Sequence, residues 1–273
     1  MAAVVMGVVQ GLTEFLPVSS SGHLILVPFL LGGVLPGMRD PFITSLEFSV
    51  ILHLGTLAAL LIYFARDWVR LVPAFFGALR ARSLDSDPDR RLAVLLAIAT
   101  VPALVIGYLL HDLEDRLREP GLVATMLAVG AAILWLAERS GSRRLLALDL
   151  TFPKTLLIGL AQSLALVPGI SRSGISISAG LFAGLQRDEA ARFSFLMATP
   201  ITAAAAAYEV LQVVRGEGVA LETLPLAAGL ATSFAFGLAA IAVLLRLLRT
   251  RSTDVFVAYR VVLAAIVLVV WLG

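Results

Sequence analysis

A short polar segment near the start of the chain carries the residue types of a catalytic site. The segment TEFLPVSSSGH, residues 13–23, contains Glu14, a run of three serines and His23. A histidine beside hydroxyls and a carboxylate can supply general acid–base or nucleophilic chemistry near neutral pH. The carboxylate could orient the histidine, hold a divalent cation or position a water molecule. The three serines are Ser19, Ser20 and Ser21.

A second segment, PGISRSGIS at residues 168–176, carries the residue types that bind an anion. Its central residue is Arg172, and an arginine side chain can bind two phosphate oxygens at once. Serine hydroxyls, and backbone N–H groups that glycine leaves accessible, add further donors. Together the two segments predict a phosphate site. The residues predicted to bind phosphate beside Arg172 are Ser19, Ser21, Gly169, Ser171, Ser173, Gly174 and Ser176.

The composition places both segments in a membrane protein. Of the 273 residues, 59% are hydrophobic and 15% are charged, whereas soluble domains carry about 25% charged residues. The mean hydropathy is +0.96. The net charge of +2 does not indicate nucleic-acid binding, because the arginines cluster at the ends of apolar stretches and act there as topological anchors.

Apolar stretches long enough to cross a hydrocarbon core of about 30 Å recur along the chain. Two more apolar regions, 1–30 and 155–186, are interrupted by Pro, Gly and Ser, so each is predicted to form a re-entrant helical hairpin. The predicted fold is therefore an all-α polytopic membrane protein with six full transmembrane helices and two re-entrant hairpins. The six spans are predicted at 47–65, 92–110, 121–137, 192–214, 223–246 and 255–272.

The distribution of arginine and lysine predicts how these elements are oriented. Residues 66–91, 138–154 and 246–254 carry most of the basic residues between spans and are expected on the cytoplasmic side. The six spans then alternate without conflict. The hairpin at 1–30 must enter from the outside, and the hairpin at 155–186 must enter from the inside.

The two halves of the chain also resemble each other. GVVQGLTEFLPVSSSGH from Gly7 aligns without gaps to GLAQSLALVPGISRSGI from Gly159, and every identical pair is 152 positions apart. This indicates one membrane domain, residues 1–273, built from an inverted repeat whose halves are 1–138 and 155–273. Broken helices in such repeats place a binding site near the bilayer midplane. The alternative is that two segments rich in small residues align by composition alone.

Several of these residues also have structural interpretations. An arginine inside the membrane needs a partner, which could be Glu14 in an ion pair or an anionic ligand. A single intramembrane serine often bonds only to a backbone carbonyl of its own helix. His53 lies alone in the span ILHLGT and is interpreted as a hydrogen-bonded packing residue, outside the catalytic set.

The two polar segments resemble the signature regions of a known family. QGLTEFLPVSSSGH and PGISRSGIS are similar to those of the bacterial undecaprenyl-diphosphate phosphatases of the BacA type. The resemblance extends over nearly the whole chain, including ATVPALVIGYLLHD, FSFLMATP and the AYR at residues 258–260. It implies an integral membrane enzyme that removes the terminal phosphate of a C55 polyprenyl diphosphate. It also implies an inverted-repeat fold.

The family motifs transfer residue by residue. The (E/Q)-x-x-x-E motif falls on Gln10 and Glu14, the essential loop serine on Ser20, and the family histidine on His23. The P-G-x-S-R-S-x-x-T motif falls on residues 168–176. The chain departs from the family pattern at two positions, one in each motif. Gln10 is the neutral option at the first position, which disfavours a two-carboxylate metal clamp. Serine replaces threonine at position 176 and keeps the hydroxyl.

The resemblance implies a reaction and roles for these residues. Arg172 with the neighbouring serines and loop amides would hold the phosphates, and Glu14, with Gln10 as a second candidate ligand, would hold Mg²⁺ or Ca²⁺. Ser20 would attack the terminal phosphorus with His23 as base, although a phosphohistidine at His23 stays open. The type 2 phosphatidic acid phosphatases share an S-G-H tripeptide, but no histidine follows Arg172 to complete their S-R-x5-H-x3-D motif.

The resemblance also implies a cellular setting. It predicts a multi-pass protein of the bacterial inner membrane whose active site opens to the outer face, with membrane lipid and the polyprenyl diphosphate as partners and a homodimer as an option. Recycling of the lipid carrier for peptidoglycan, and bacitracin resistance on overproduction, would follow. The alternative function is a transporter or flippase of a phosphorylated lipid, because inverted repeats with broken helices are typical of transporters. His23 beside Ser20 favours the enzyme, since transport does not require it.

Overall fold

The computed structural model describes residues 1–81, 83–84, 87–110, 116–214 and 223–273. These residues are predominantly helical, and among them the only β-type pairing is an isolated bridge between Leu145 and Leu185. In chain order the helices are α1 (Ala2–Phe15), α2 (Ser20–Leu31), α3 (Pro41–Thr44), α4 (Leu46–Tyr63), α5 (Ala65–Ala81), α6 (Pro88–Leu109), α7 (Pro120–Ser140), α8 (Phe152–Ser163), α9 (Arg172–Phe182), α10 (Arg187–Val214), α11 (Thr223–Leu248) and α12 (Asp254–Leu272).

Five of these helices, α6, α7, α10, α11 and α12, are long and apolar enough to cross a membrane. A sixth span is obtained if α4 and α5, which are bent by 82° at a short break, count as one. The prediction of an all-α polytopic membrane protein is confirmed. Each of the six predicted spans coincides with a helix, although α4 on its own falls outside the five.

The segment after α4 contains a helix that was not predicted from the sequence. Residues 66–91 are predicted from the sequence as a basic cytoplasmic connection. In the structure residues 65–81 form α5, which packs against α6. Its buried side chains include Leu71 and Ala78, whereas Val69 and Phe76 are exposed. Arg66, Arg70 and Arg80 therefore lie on a helix rather than in an irregular connection, Arg90 and Arg91 lie in α6, and Arg82 lies outside the described residues.

The two interrupted regions each form a pair of short helices that pack against each other, as predicted. α1 and α2 are separated by residues 16–19, here called the first loop. α8 is followed by a 3₁₀ turn, Leu164–Leu166, and then by residues 167–171, here called the second loop, before α9 begins. None of these four helices has the roughly 20 residues needed to cross the membrane. The side from which each pair enters stays a prediction.

The helices of the two halves interlock in reciprocal pairs. α1 packs on α11 as α8 packs on α6, and α4 packs on α11 as α10 packs on α6. Two aligned glycines allow the first pair of contacts. A Cβ at Gly7 would lie 2.3 Å from the Gly229 carbonyl oxygen of α11, and one at Gly159 would lie 2.3 Å from the Ala99 carbonyl oxygen of α6. Small residues of this kind let membrane helices approach closely. The division into repeats at 1–138 and 155–273 stays a prediction that this packing fits.

Candidate active site

Glu14 and Arg172, which lie next to the first and second loops, form an ion pair. Glu14 lies in the last turn of α1, and Arg172 is the first residue of α9. The guanidinium Nη2 donates to Glu14 Oε1, and Nη1 donates to the Thr202 hydroxyl of α10 at 2.9 Å. Of the two partners that the sequence left open for Arg172, the structure therefore shows the carboxylate.

The other oxygen of the Glu14 carboxylate is the centre of a polar cluster. Oε2 accepts a hydrogen bond from the Ser20 hydroxyl at 2.5 Å and one from the Gln10 side-chain amide at 3.0 Å. His53 Nε2 lies 3.3 Å from the same oxygen. Glu14 is only 7% exposed, so these contacts replace water around a buried charge. The Ser20 hydroxyl consequently lies within proton-transfer distance of a carboxylate base.

His53 belongs to this cluster, although the sequence analysis interpreted it as a packing residue. Its Nδ1 lies 2.7 Å from the Ser49 carbonyl oxygen, so Nδ1 carries a hydrogen and donates it there. Nε2 faces the Glu14 carboxylate. Both ring nitrogens thus face oxygen acceptors, an arrangement that the imidazolium form satisfies fully. The polar row Ser49, His53 and Thr56 on one face of the apolar α4 is the signal in the sequence that could have identified it.

His23 lies in a different environment from the one expected for a base that activates Ser20. Its Nδ1 is 2.7 Å from the Ser19 carbonyl oxygen and its Nε2 is 2.6 Å from the Tyr259 hydroxyl of α12. The rings of His23 and Tyr259 are stacked, with their centroids 5.6 Å apart. Both nitrogens therefore have partners other than Ser20. Because Nδ1 faces a carbonyl oxygen and carries the hydrogen, Nε2 of the neutral ring accepts from the Tyr259 hydroxyl. Tyr259 is a site neighbour that the sequence analysis did not single out.

The two loops share an unusual backbone conformation. Ser19 has φ +76° and Ser171 has φ +75°, a region that residues other than glycine rarely adopt. Each serine caps the helix that follows, with its hydroxyl accepting from the N–H of Gly22 at 3.2 Å or of Gly174 at 3.0 Å. Strained backbone of this kind concentrates at functional sites.

The remaining residues predicted to bind phosphate surround the ion pair and have partners within the protein. Ser21 Oγ lies 3.4 Å from Ser19 Oγ, and Ser173 Oγ donates to the Leu16 carbonyl of the first loop at 3.0 Å. Ser176 is bonded to the Arg172 carbonyl and to the Ser194 hydroxyl of α10, each at 2.6 Å. Gly169 has φ +102° in the second loop. Of these serines Ser173 links its segment to the first loop, and the contacts of all of them with phosphate stay predictions.

The cluster fits a cation only if the substrate supplies ligands as well. The described residues contain no group of three or more His, Cys, Asp or Glu side chains that could hold a metal. Glu14 is the one carboxylate that the contacts above bring to the cluster. The Gln10 Oε1 atom beside it is buried and has no hydrogen-bond partner. One carboxylate, one amide oxygen and phosphate oxygens form a ligand set of the kind that Mg²⁺ accepts.

Comparison with known proteins assigns the chain to a family. The family model described as Bacitracin resistance protein BacA matches residues 3–266. Relatives named Undecaprenyl-diphosphatase include one from Desulforudis audaxviator, 44% identical over 98% of this chain and 96% of its own length. Another, from Rubrobacter xylanophilus, is 46% identical over 97% of this chain and 96% of its own. With residues 3–266 matched and both signature segments in one cluster, the chain belongs to the BacA family.

Proposed function

We propose that the chain hydrolyses undecaprenyl diphosphate to undecaprenyl phosphate and inorganic phosphate. Family membership and relatives named as diphosphatases at 40–46% identity support this reaction. The observation that carries the proposal is the Glu14 carboxylate, which accepts from the Ser20 hydroxyl on one oxygen and pairs with Arg172 on the other. A nucleophile, a base and a phosphate-binding cation therefore lie in contact. The transporter interpretation has no comparable support among the relatives.

The geometry favours Ser20 as the nucleophile. The terminal phosphate competes with Glu14 for Arg172, and the freed carboxylate accepts the Ser20 proton. The Ser20 oxygen then bonds to the terminal phosphorus while the bond from that phosphorus to the bridging oxygen breaks, and undecaprenyl phosphate leaves. Glu14 gives its proton to the departing phosphate and becomes a carboxylate again. Water then attacks the phosphoserine and loses a proton to Glu14 while the bond from phosphorus to the Ser20 oxygen breaks. The Ser20 oxygen takes the proton back from Glu14, and inorganic phosphate is released. Positioning and charge stabilisation supply most of the acceleration in such transfers.

Three neighbouring side chains support this chemistry. Gln10 and His53 fix the orientation of the Glu14 carboxylate through Oε2. Thr202 holds the second nitrogen of Arg172. Glu14 and the Gln10 amide oxygen would also hold Mg²⁺ or Ca²⁺, which when bound neutralises charge on the phosphates.

The protein lies in the bacterial inner membrane with its site open to the outer face. This part of the proposal rests on the resemblance to the BacA family, and the basic segments between spans, which favour the cytoplasm, support only the orientation of the spans. The lipid product would then re-enter the carrier cycle for peptidoglycan, and overproduction would raise bacitracin resistance. A homodimer belongs to the same proposal and is tested by cross-linking in native membranes.

Phosphate release from undecaprenyl diphosphate by the purified chain in detergent with Mg²⁺ tests the reaction. We expect Ser20→Ala to lose activity and to form no phosphoenzyme, while Ser252→Ala, at a half-buried serine bonded to Asp254, stays at the wild-type rate. An acid-stable phosphoserine in the wild type would identify Ser20. An acid-labile phosphoenzyme that survives in Ser20→Ala would transfer the role to His23. A folded wild-type protein that releases no phosphate would contradict the proposed function.

A further inference from the structure

Arg260 of α12 is a fully buried arginine whose hydrogen bonds go to backbone carbonyl groups. It is 0% exposed and is the largest of the fully buried side chains among the described residues. A guanidinium offers five N–H donors in a fixed planar fork, so it can hold several acceptors in a defined arrangement. An arginine at membrane depth that serves only packing would be a costly choice.

The acceptors of Arg260 come from both loops. Nη1 donates to the Pro17 carbonyl of the first loop at 3.3 Å. Nη2 donates to the carbonyls of Gly169 and Ile170 in the second loop, each at 2.9 Å. Nε donates to the Leu127 carbonyl of α7 at 3.2 Å. One side chain therefore joins two loops that are far apart in sequence and fixes both to a membrane-spanning helix.

The surrounding backbone leaves room for this guanidinium at two glycines. A Cβ added at Gly130 of α7 would lie 2.0 Å from Nη2, and one at Gly174 of α9 would lie 2.9 Å from Nη1. Gly130 has no contact with the Glu14 cluster among the bonds described above. The same Cβ would lie 2.7 Å from the Ile170 carbonyl oxygen, so an alanine at Gly130 disturbs the bond between Arg260 and the second loop at both partners without substituting a residue of the active site.

We propose that Arg260 is a positioning residue that sets the register of the first loop against the second. Pro17 lies midway between Glu14 and Ser20, and Ile170 lies two residues before Arg172. A shift of either carbonyl would move the nucleophile and base relative to the phosphate-binding arginine. Arg260 acts on the reaction only through the loops, and its role in turnover rests on the function proposed above.

Three variants and two readouts test this role. Arg260→Met removes the donors and keeps an apolar side chain, Arg260→Lys restores up to three donors, and Gly130→Ala pushes the guanidinium out of place. Arg91→Met is the matched control, because Arg91 also bonds to two backbone carbonyls, those of Leu148 and Leu150, away from the site. Gly107→Ala controls for the added methyl, since its Cβ would meet nothing closer than 3.9 Å.

We expect kcat for phosphate release to fall about 100-fold in Arg260→Met and Gly130→Ala, the scale that an ångström of misplacement produces. Arg260→Lys should recover part of the loss, and both controls should stay within twofold of the wild type. Hydrogen–deuterium exchange should rise in both loops together and stay unchanged in α6 and α11. That pattern separates positioning from a general loss of stability, which would raise exchange throughout.

The two readouts distinguish failure of this proposal from failure of the proposed function. If the wild type releases no phosphate, the function is wrong, and exchange in the two loops still tests the Arg260 contacts. Faster exchange in one loop only, in all helices, or in both loops without a loss of kcat would overturn the positioning role. If Arg260→Met does not fold, Arg260→Lys and Gly130→Ala decide the question by the same criteria.

Discussion

The first and second loops have nearly the same backbone at the serine that precedes each following helix, yet they contribute different chemistry. Ser19 and Ser171 share their φ angle, their capping bond and a neighbouring hydroxyl two residues later. The aligned positions that differ carry the reactive groups. Glu14, Ser20 and His23 of the first segment correspond to Leu166, Arg172 and Ile175 of the second.

This comparison separates residues that shape a loop from residues that react. The identical serines and glycines lie at the turn, whereas the divergent positions place a carboxylate and a hydroxyl beside the first loop and a guanidinium beside the second. Each loop also takes one polar partner from a neighbouring helix, namely His53 of α4 for the first and Thr202 of α10 for the second. Substitutions at divergent positions should therefore affect turnover, and those at identical positions should affect stability.

The largest effect on turnover is expected at Arg172, the residue that directly follows the second loop. Arg172→Ala should lower kcat/KM about 10³-fold or more, because an arginine that stabilises a transferring phosphoryl group contributes on that scale. Arg192→Ala is the control, since Arg192 pairs with Asp67 in another part of the fold and should leave turnover within about threefold. Phosphate release measures both. Normal turnover in Arg172→Ala would show that Arg172 takes no part in the reaction.

Glu14→Gln should have the next largest effect. The amide keeps the shape of the side chain but cannot accept the Ser20 proton, so we expect kcat to fall about 10²- to 10⁴-fold. Glu138→Gln is a matched comparison, because Glu138 is also buried and bonds to Arg187 and Thr253 away from the loops. It should lower the melting temperature and leave turnover per folded molecule unchanged. Equal losses of turnover in both variants would contradict a special role for Glu14.

Substitutions of His53 and Thr202, the polar partners on neighbouring helices, should have intermediate effects on turnover. His53→Leu removes a contact to Glu14 and should lower kcat about 10-fold, whereas His53→Gln, which can still donate to the carboxylate, should lose less. Thr202→Val should raise KM several-fold by loosening Arg172. Steady-state kinetics of the three variants separate these effects. A His53→Leu variant as active as the wild type would show that His53 serves only packing.

The smallest effects on turnover are expected at the shared serines. Ser19→Ala and Ser171→Ala each remove a helix cap and should cost about 1 kcal/mol of stability. Ser19→Gly and Ser171→Gly should cost less, because glycine accepts the positive φ without strain. Thermal unfolding in detergent measures these values. A clear difference between the two serines would show that the loops are alike in sequence but not in energetic role.

The sequence could predict the elements and the polar segments, because hydropathy and proline or glycine breaks are local signals. All six predicted spans fall on helices, and both loops lie where the interruptions were predicted. The partners of His23 were not predictable from its position three residues after Ser20. At the start of α2 the Ser20 side chain reaches Glu14, whereas the His23 ring reaches Tyr259 on α12.

Contacts between distant helices account for the other omissions. His53 reads as one polar residue on an apolar helix, and only the packing of α4 beside α1 brings it to Glu14. Arg260 stands near the end of the chain within a motif that resembles the family, yet its four carbonyl acceptors come from three separate segments. α5 was not predicted, because its arginines indicate the cytoplasmic side of the membrane and not a helix.

The bonds of Arg260 have a consequence for how the protein is made. Synthesis runs from the N-terminus to the C-terminus, so the first loop enters the membrane long before α12 emerges from the ribosome. Until α12 is inserted, the carbonyls of Pro17, Gly169 and Ile170 lack the donors that they have in the folded protein. The two loops would therefore reach their final arrangement only when the last helix is in place.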